Sequence, residues 1–225
     1  MIPWEQLDTA TVPGDGVDLR LMRRGTEYSI MAGAIELMNS RLSGSEEAMA
    51  TLAFDRIGQR AGARVLIGGL GLGFTLRAAL AAFGPDARIV VAELVPAVVA
   101  WARGPLGDLH GDSLDDPRVE IHQGDVGALI READSVYDAI LLDVDNGPGG
   151  LSRKGNDSLY DQGGLAAARR ALRPGGVLEV WSSTRDSDFT RRLGRAGYAV
   201  EEVGVRAHKG RGARHVIWVA TRPGA

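Results

Sequence analysis

The feature that most constrains this chain is the run Val65-Leu66-Ile67-Gly68-Gly69-Leu70-Gly71-Leu72-Gly73, an apolar strand leading into glycines. A helical pattern, FTLRAALAAF, begins at Phe74. A strand, a glycine turn and a helix form the opening unit of a doubly wound sheet, where the backbone can approach a ligand. Glycines at 69, 71 and 73 spell G-x-G-x-G. The dinucleotide fingerprint G-x-G-x-x-G would need glycine at 74 or 76, which hold Phe74 and Leu76, so NAD and FAD are disfavoured. No G-x-x-x-x-G-K-[ST] loop occurs, which removes the P-loop reading. A short glycine loop suits an adenosyl ligand without a pyrophosphate, although a tight turn needs no ligand at all.

The strand–helix alternation continues beyond the loop. Expected strands are RVLIGG, RIVVAEL, RVEIHQG, YDAILLDV and GVLEVWSS, whose unbroken aliphatic runs suit central parallel strands covered on both faces. Expected helices are FTLRAALAAF, VPAVVAWAR, VGALIREA and GGLAAARRAL, the last closed by Pro174-Gly175-Gly176. The tail segments YAVEEVGVRAH and RHVIWVATR read as an antiparallel pair at one sheet edge. Upstream, residues 17–38 alternate around Arg24-Gly25 and Ala32-Gly33, which predicts a small β-hairpin or meander. Ser45 is the expected N-cap of a helix through EEAMATLAFDRI, with Glu46 and Glu47 favourably placed on its dipole. The expected fold is α/β: a Rossmann-like, mostly parallel doubly wound sheet with an antiparallel C-terminal edge, preceded by an N-terminal β-hairpin. Residues 1–44 form the extension and residues 45–225 the Rossmann-like domain in this reading.

Bulk properties narrow the function. A chain of 225 residues suits one α/β domain. There is no cysteine, so disulfides and cysteine-bound zinc are excluded, in keeping with a reducing compartment. The N-terminus lacks a basic segment followed by an apolar run, and no uncharged stretch approaches the ~18 residues that cross a bilayer. A cytoplasmic location without membrane contact is expected. A net charge of −3 argues against a general nucleic-acid binder. The basic stretch from His208 to His215 reads as a solvated hairpin tip in preference to an RNA contact. The four histidines are scattered without ligand spacing, so no metal site is expected. No G-x-S-x-G elbow marks a nucleophile.

Acids at the carboxyl ends of successive strands sharpen the site. Glu93 ends the second strand, twenty positions after Gly73, where a carboxylate can accept from both ribose hydroxyls or simply face solvent. Asp125 follows the third strand and can accept from an adenine amino group, cap the next helix, or both. Leu94 and Val126, the next residue in each case, are placed in the same site. Asp143 ends the fourth strand, where it can serve as a base for an amine acceptor or brace its loop. Asp145 is a further catalytic candidate, although with Asn146 it also suits the turn set by Gly147-Pro148. Tyr160 can cover an acceptor or pack at the start of a helix, and Trp181 reads as core or pocket wall.

In their order and spacing these segments resemble class I S-adenosylmethionine-dependent methyltransferases, and more closely the spermidine-synthase-like branch. The resemblance covers roughly residues 19 to 220. It rests on LMNSRLSGSEEAM, GGLGLG, Glu93, Gly124-Asp125, LLDVDNGP and LYDQGGLAAARRALRPGGVLEVWSS. It implies an adenosyl donor, either S-adenosylmethionine or its decarboxylated form, with Asp143 beside the reacting amine. Four departures stand out, the first being that the N-terminal β-domain, which helps close the diamine pocket in that family, reads here as reduced to a hairpin. Spermidine synthases carry G-G-G-D-G-G, whose Asp holds the aminopropyl amine, and Gly71 takes that place here. Their D-S-S-D-P-x-G-P becomes Asp143-Val144-Asp145-Asn146-Gly147-Pro148, and their following Tyr falls at about Leu165. On these grounds methyl transfer to a small-molecule nitrogen or oxygen is the expected reaction. Aminopropyl transfer to a diamine is the alternative, and a non-catalytic adenosyl-binding module the third. The N-terminal strands are compatible with a homodimer.

Overall fold

The computed structural model describes residues 2–58, 60–144, 147–148, 156–208 and 211–224. The chain opens with β1 (Glu5–Thr11), β2 (Asp18–Arg24), β3 (Glu27–Ala32) and β4 (Ile35–Asn39), then α1 (Gly44–Ile57). The alternating part follows as β5 (Arg64–Gly68), α2 (Phe74–Ala82), β6 (Arg88–Glu93), α3 (Pro96–Arg103), the short α4 (Gly107–His110) and β7 (Val119–Gln123). Next come α5 (Val126–Glu132), β8 (Tyr137–Leu142), the single turn α6 (Asp157–Tyr160), α7 (Gln162–Ala171) and β9 (Leu172–Ser182). The chain closes with α8 (Ser187–Arg195), β10 (Ala199–His208) and β11 (Arg211–Thr221).

Seven strands form the main sheet in the order β10-β11-β9-β8-β5-β6-β7. Five of them are parallel, while β11 runs antiparallel to both β9 and β10. This is the expected fold class. Every residue of β8 is buried because helices cover both faces. One face packs Met49 and Ala53 of α1, Leu76 of α2 and Trp101 of α3 against Val65, Ile67 and Leu141. The other packs Ile130 of α5, Leu165 of α7 and Phe189 of α8 against Leu66, Ile140 and Trp218. Strand order reverses beside β5, so the loops after β5 and β8 diverge and leave a crevice at their carboxyl ends.

Three elements differ from expectation. The N-terminal strands form a four-stranded antiparallel sheet, β1-β2-β3-β4, in which β2 to β4 are the meander read over residues 17–38 and β1 is an added strand. Its turns fall at Gly25 and Gly33 as read, but β1 is a polar segment, EQLDTAT, without apolar alternation. Pairing with β2, across a bulge between Gln6 and Asp8, is what makes it a strand. The sheet is anchored by Leu21 and Ile30 in the shared core and by Trp101 Nε1, which donates to Asp8 at 2.6 Å. Second, Ser45 is not the cap of α1. The helix begins at Gly44 behind Ser43, and Ser45 lies buried in its first turn. Third, α8 has a highly charged sequence that buries only Phe189 and Leu193, one helical turn apart; Asp186 caps it by accepting from the amides of Asp188 and Phe189.

Candidate active site

The glycine loop after β5 lies against the end of β8. Gly69 has φ +90, and a Cβ there would run into the carbonyl oxygen of Asp143, so only glycine lets the two strand ends approach. The loop backbone is held from the neighbouring strand. Glu93 is 7% exposed, and its carboxylate accepts from Leu70 N at 2.9 Å and Val95 N at 2.8 Å. Burial pushes the Glu93 carboxyl above its usual range, opposed by the amides of Val95, Leu70, Gly71 and Leu94.

Loop and acid open onto a cavity of about 380 Å³, within the size range of small-ligand sites. Gly69, Gly71, Gly73, Glu93, Leu94, Asp125, Val126 and Asp143 all line it. Asp125 also caps α5, accepting from Gly127 N at 2.9 Å, and pairs with Arg131 at 3.0 Å, so the capping alternative is realised beside the lining position. Periodicity gave no hint of the roof, which is built by Leu19, Ile30, Ile35, Leu37 and Met38 of the N-terminal sheet. A larger, more open depression of about 510 Å³ lies at the opposite end of the sheet, lined by Arg64, Arg88, Arg118 and Glu120. It lacks the glycine loop and sits away from the carboxyl strand ends that bind ligands in such sheets.

Two further acids, Asp143 beside the glycine loop and Glu46, line the 380 Å³ cavity. Asp143 is partly exposed to it and accepts from the Thr75 hydroxyl at 2.9 Å. Burial, then the nearby charge of Glu46, pushes the Asp143 carboxyl up to about 7, against the opposing Thr75 bond. Glu46, from the first turn of α1, lines the same cavity. From sequence it reads only as a dipole-compensating residue. Its signal is positional: a carboxylate one turn into a helix that abuts the sheet. Trp181 is a cavity wall, as one reading of it held.

Two catalytic expectations fare differently. Tyr160 is 3% exposed and packs edge-on to Phe189, with ring centroids 5.8 Å apart, on the opposite face of the sheet. It does not line the cavity; the apolar side of its short helix faces α7, so packing decides its position. Asp145 and Asn146 lie outside the described residues. No group of three or more His, Asp or Glu among the described residues could hold a metal ion. No helix among them is long and apolar enough to cross a membrane.

Comparison with known proteins places this architecture. The spermine/spermidine synthase domain matches residues 15–184. A polyamine aminopropyltransferase of Mycobacterium tuberculosis is 37% identical over 150 residues, covering 62% of this chain. The match spans only 28% of that relative's length. Spermidine synthase from Thermotoga maritima superposes with a TM-score of 0.70 at 18% identity, covering 96% of this chain and 72% of that one. A spermidine synthase in complex with the transition-state analogue AdoDATO superposes equally well, at 17% identity and the same coverage. These findings overturn the expectation of methyl transfer, which leans on Gly71 standing where the loop acid should be. One missing acid weighed too heavily against the remaining segments, since a carboxylate can reach the same cavity from another element. By the match across residues 15–184, the chain belongs to the spermine/spermidine synthase family.

Proposed function

We propose that this protein transfers an aminopropyl group from decarboxylated S-adenosylmethionine to the amine of a small diamine or polyamine. The observation that carries this reading is one cavity lined by the glycine loop, by the strand-end acids Glu93 and Asp125, and by the Asp143–Glu46 pair. In it, the backbone of Gly69, Gly71 and Gly73 lies along the donor. Glu93 accepts from the ribose hydroxyls, Asp125 accepts from the adenine amino group, and Leu94 and Val126 wall the nucleoside. Asp143 orients the acceptor nitrogen. That nitrogen attacks the methylene carbon bonded to the donor's sulfonium. The new C–N bond forms as the C–S bond breaks, and its electron pair leaves a neutral thioether, 5′-methylthioadenosine. The nitrogen's extra proton passes to Asp143. A base that titrates near neutral pH suits this task, and positioned proton transfer typically contributes ~10²–10⁴-fold in rate. A binding-only module would have no use for a pair of acids facing its cavity.

The test is incubation with putrescine and either donor, followed by mass analysis. Aminopropylated diamine together with 5′-methylthioadenosine is expected from the decarboxylated donor alone. A protein that binds the decarboxylated donor but releases no thioether with any diamine or polyamine would defeat the proposal.

A further inference from the structure

The position where spermidine synthases place the loop acid is closed here by a side chain. A Cβ on Gly71 would lie 2.9 Å from Met38 Sδ, so the thioether of β4 fills the space an aspartate would need. Glu46 enters the cavity from a different element, the first turn of α1. It is held from behind by a defined chain of bonds. Ser45 is 1% exposed, and its hydroxyl donates to Glu46 Oε2 at 2.7 Å. The same Oγ lies 3.0 Å from His215 Nδ1 on β11. A serine hydroxyl has one proton, already given to the carboxylate, so Nδ1 is the donor and the order runs His215, Ser45, Glu46. The His215 ring is itself fixed edge-on to the cavity wall Trp181, with centroids 4.8 Å apart. Among the described residues neither Glu46 nor Asp143 forms an ion pair with arginine or lysine. Two carboxylates facing one cavity with no cation paired to them among the described residues form a site that a cationic ligand completes.

We propose that Glu46 is the second half of an ammonium clamp, taking a primary ammonium group of the amine substrate together with Asp143 in place of the absent loop acid. This rests on the aminopropyl-transfer reading. Ser45 and His215 are positioning residues that aim Glu46 without touching the ligand. The mutual repulsion of the two acids, which adds to the effect of burial in raising Asp143, is relieved when the cation enters.

Calorimetry separates the outcomes. Putrescine is titrated into protein saturated with 5′-methylthioadenosine, which fills the nucleoside end without an amine; decarboxylated S-adenosylmethionine is titrated separately. Glu46→Gln should weaken putrescine binding about tenfold or more, the usual scale for a lost bond to a charged group, with the affinity for 5′-methylthioadenosine unchanged. A loss confined to the decarboxylated donor would also support the clamp, with the donor's ammonium as its occupant. Glu46→Asp, which keeps the charge, should recover part of the affinity. Ser45→Ala should give a loss of about threefold, restored by Ser45→Thr. Unchanged affinity for both amines, in a variant that melts like the wild type and binds 5′-methylthioadenosine normally, overturns the assignment and leaves aminopropyl transfer standing. A wild type that binds neither amine overturns both.

Discussion

Asp143→Asn separates a reacting acid from a loop brace, because the two roles predict opposite effects on stability. Asparagine keeps the size of the side chain and an oxygen for the Thr75 hydroxyl, but removes the charge. The folded protein raises this carboxyl from an ordinary 3.8 to about 7, with burial as the main cause. A raised pKa gives stability that is fully present below the unfolded value and is lost as pH climbs to the folded one. The window therefore runs from about pH 4 to about pH 7. At 1.36 kcal/mol per unit, the interval corresponds to ~4 kcal/mol as an upper bound, and water in the cavity reduces this to ~1–3 kcal/mol. Asp143→Asn should leave unfolding free energy unchanged near pH 4 and raise it by ~1–3 kcal/mol near pH 8, measured by urea denaturation of the ligand-free protein. In the same variant, aminopropyl transfer should fall by ~10²-fold or more with donor affinity nearly unchanged. An asparagine variant that is less stable at pH 8 would show that the charge serves the fold, and the catalytic reasoning would be refuted.

Further outcomes follow from the same geometry. Glu93→Ala should weaken 5′-methylthioadenosine binding by ~1.5–3 kcal/mol in calorimetry, and also lower stability because the Leu70 and Val95 amides lose their acceptor; equal affinity in a folded variant removes Glu93 from the site. Gly71→Asp should weaken nucleoside binding, since φ is +50 there and Met38 occupies the space, whereas adding Met38→Ala should recover part of the loss. A single variant that binds the nucleoside as well as wild type would show that the loop accommodates an acid freely. Glu179 on β9 is fully buried, its two oxygens have no hydrogen-bond partner among the described residues, and burial raises its carboxyl well above the ordinary range, partly offset by Arg56. Its contribution to stability therefore erodes as pH rises above the unfolded carboxyl range, so Glu179→Gln should gain on wild type progressively between about pH 5 and pH 8 in denaturant titrations. A gap that does not change with pH would mean that Glu179 is ionised in the folded protein. Asp138 is 1% exposed and meets Arg60 and Arg173, each at 2.9 Å. Arg60→Ala with Arg173→Ala should cost more than the sum of the single changes, by urea denaturation, because only the double variant leaves the buried carboxylate without a cation.

Local signals determined the Rossmann-like sheet and half of its cavity. The apolar runs of β5, β6 and β8 must be buried on both faces, the glycines after Gly68 must turn, and the acids Glu93, Asp125 and Asp143 fall at strand ends by counting along the chain. Each depends on neighbours in sequence, so each could be read there. Tertiary structure alone decided the rest. β1 is a strand only because β2 pairs with it, and Tyr160 is a core residue only because α8 presents Phe189 to it. The roof of the cavity and Glu46 approach the glycine loop from residues that precede Gly69 by 23 positions or more. The methyl-transfer expectation failed for that reason: Gly71 shows that one backbone position carries no acid, but the charge in a cavity is the sum over every element that reaches it, and α1 brings Glu46 there through packing that no local pattern records.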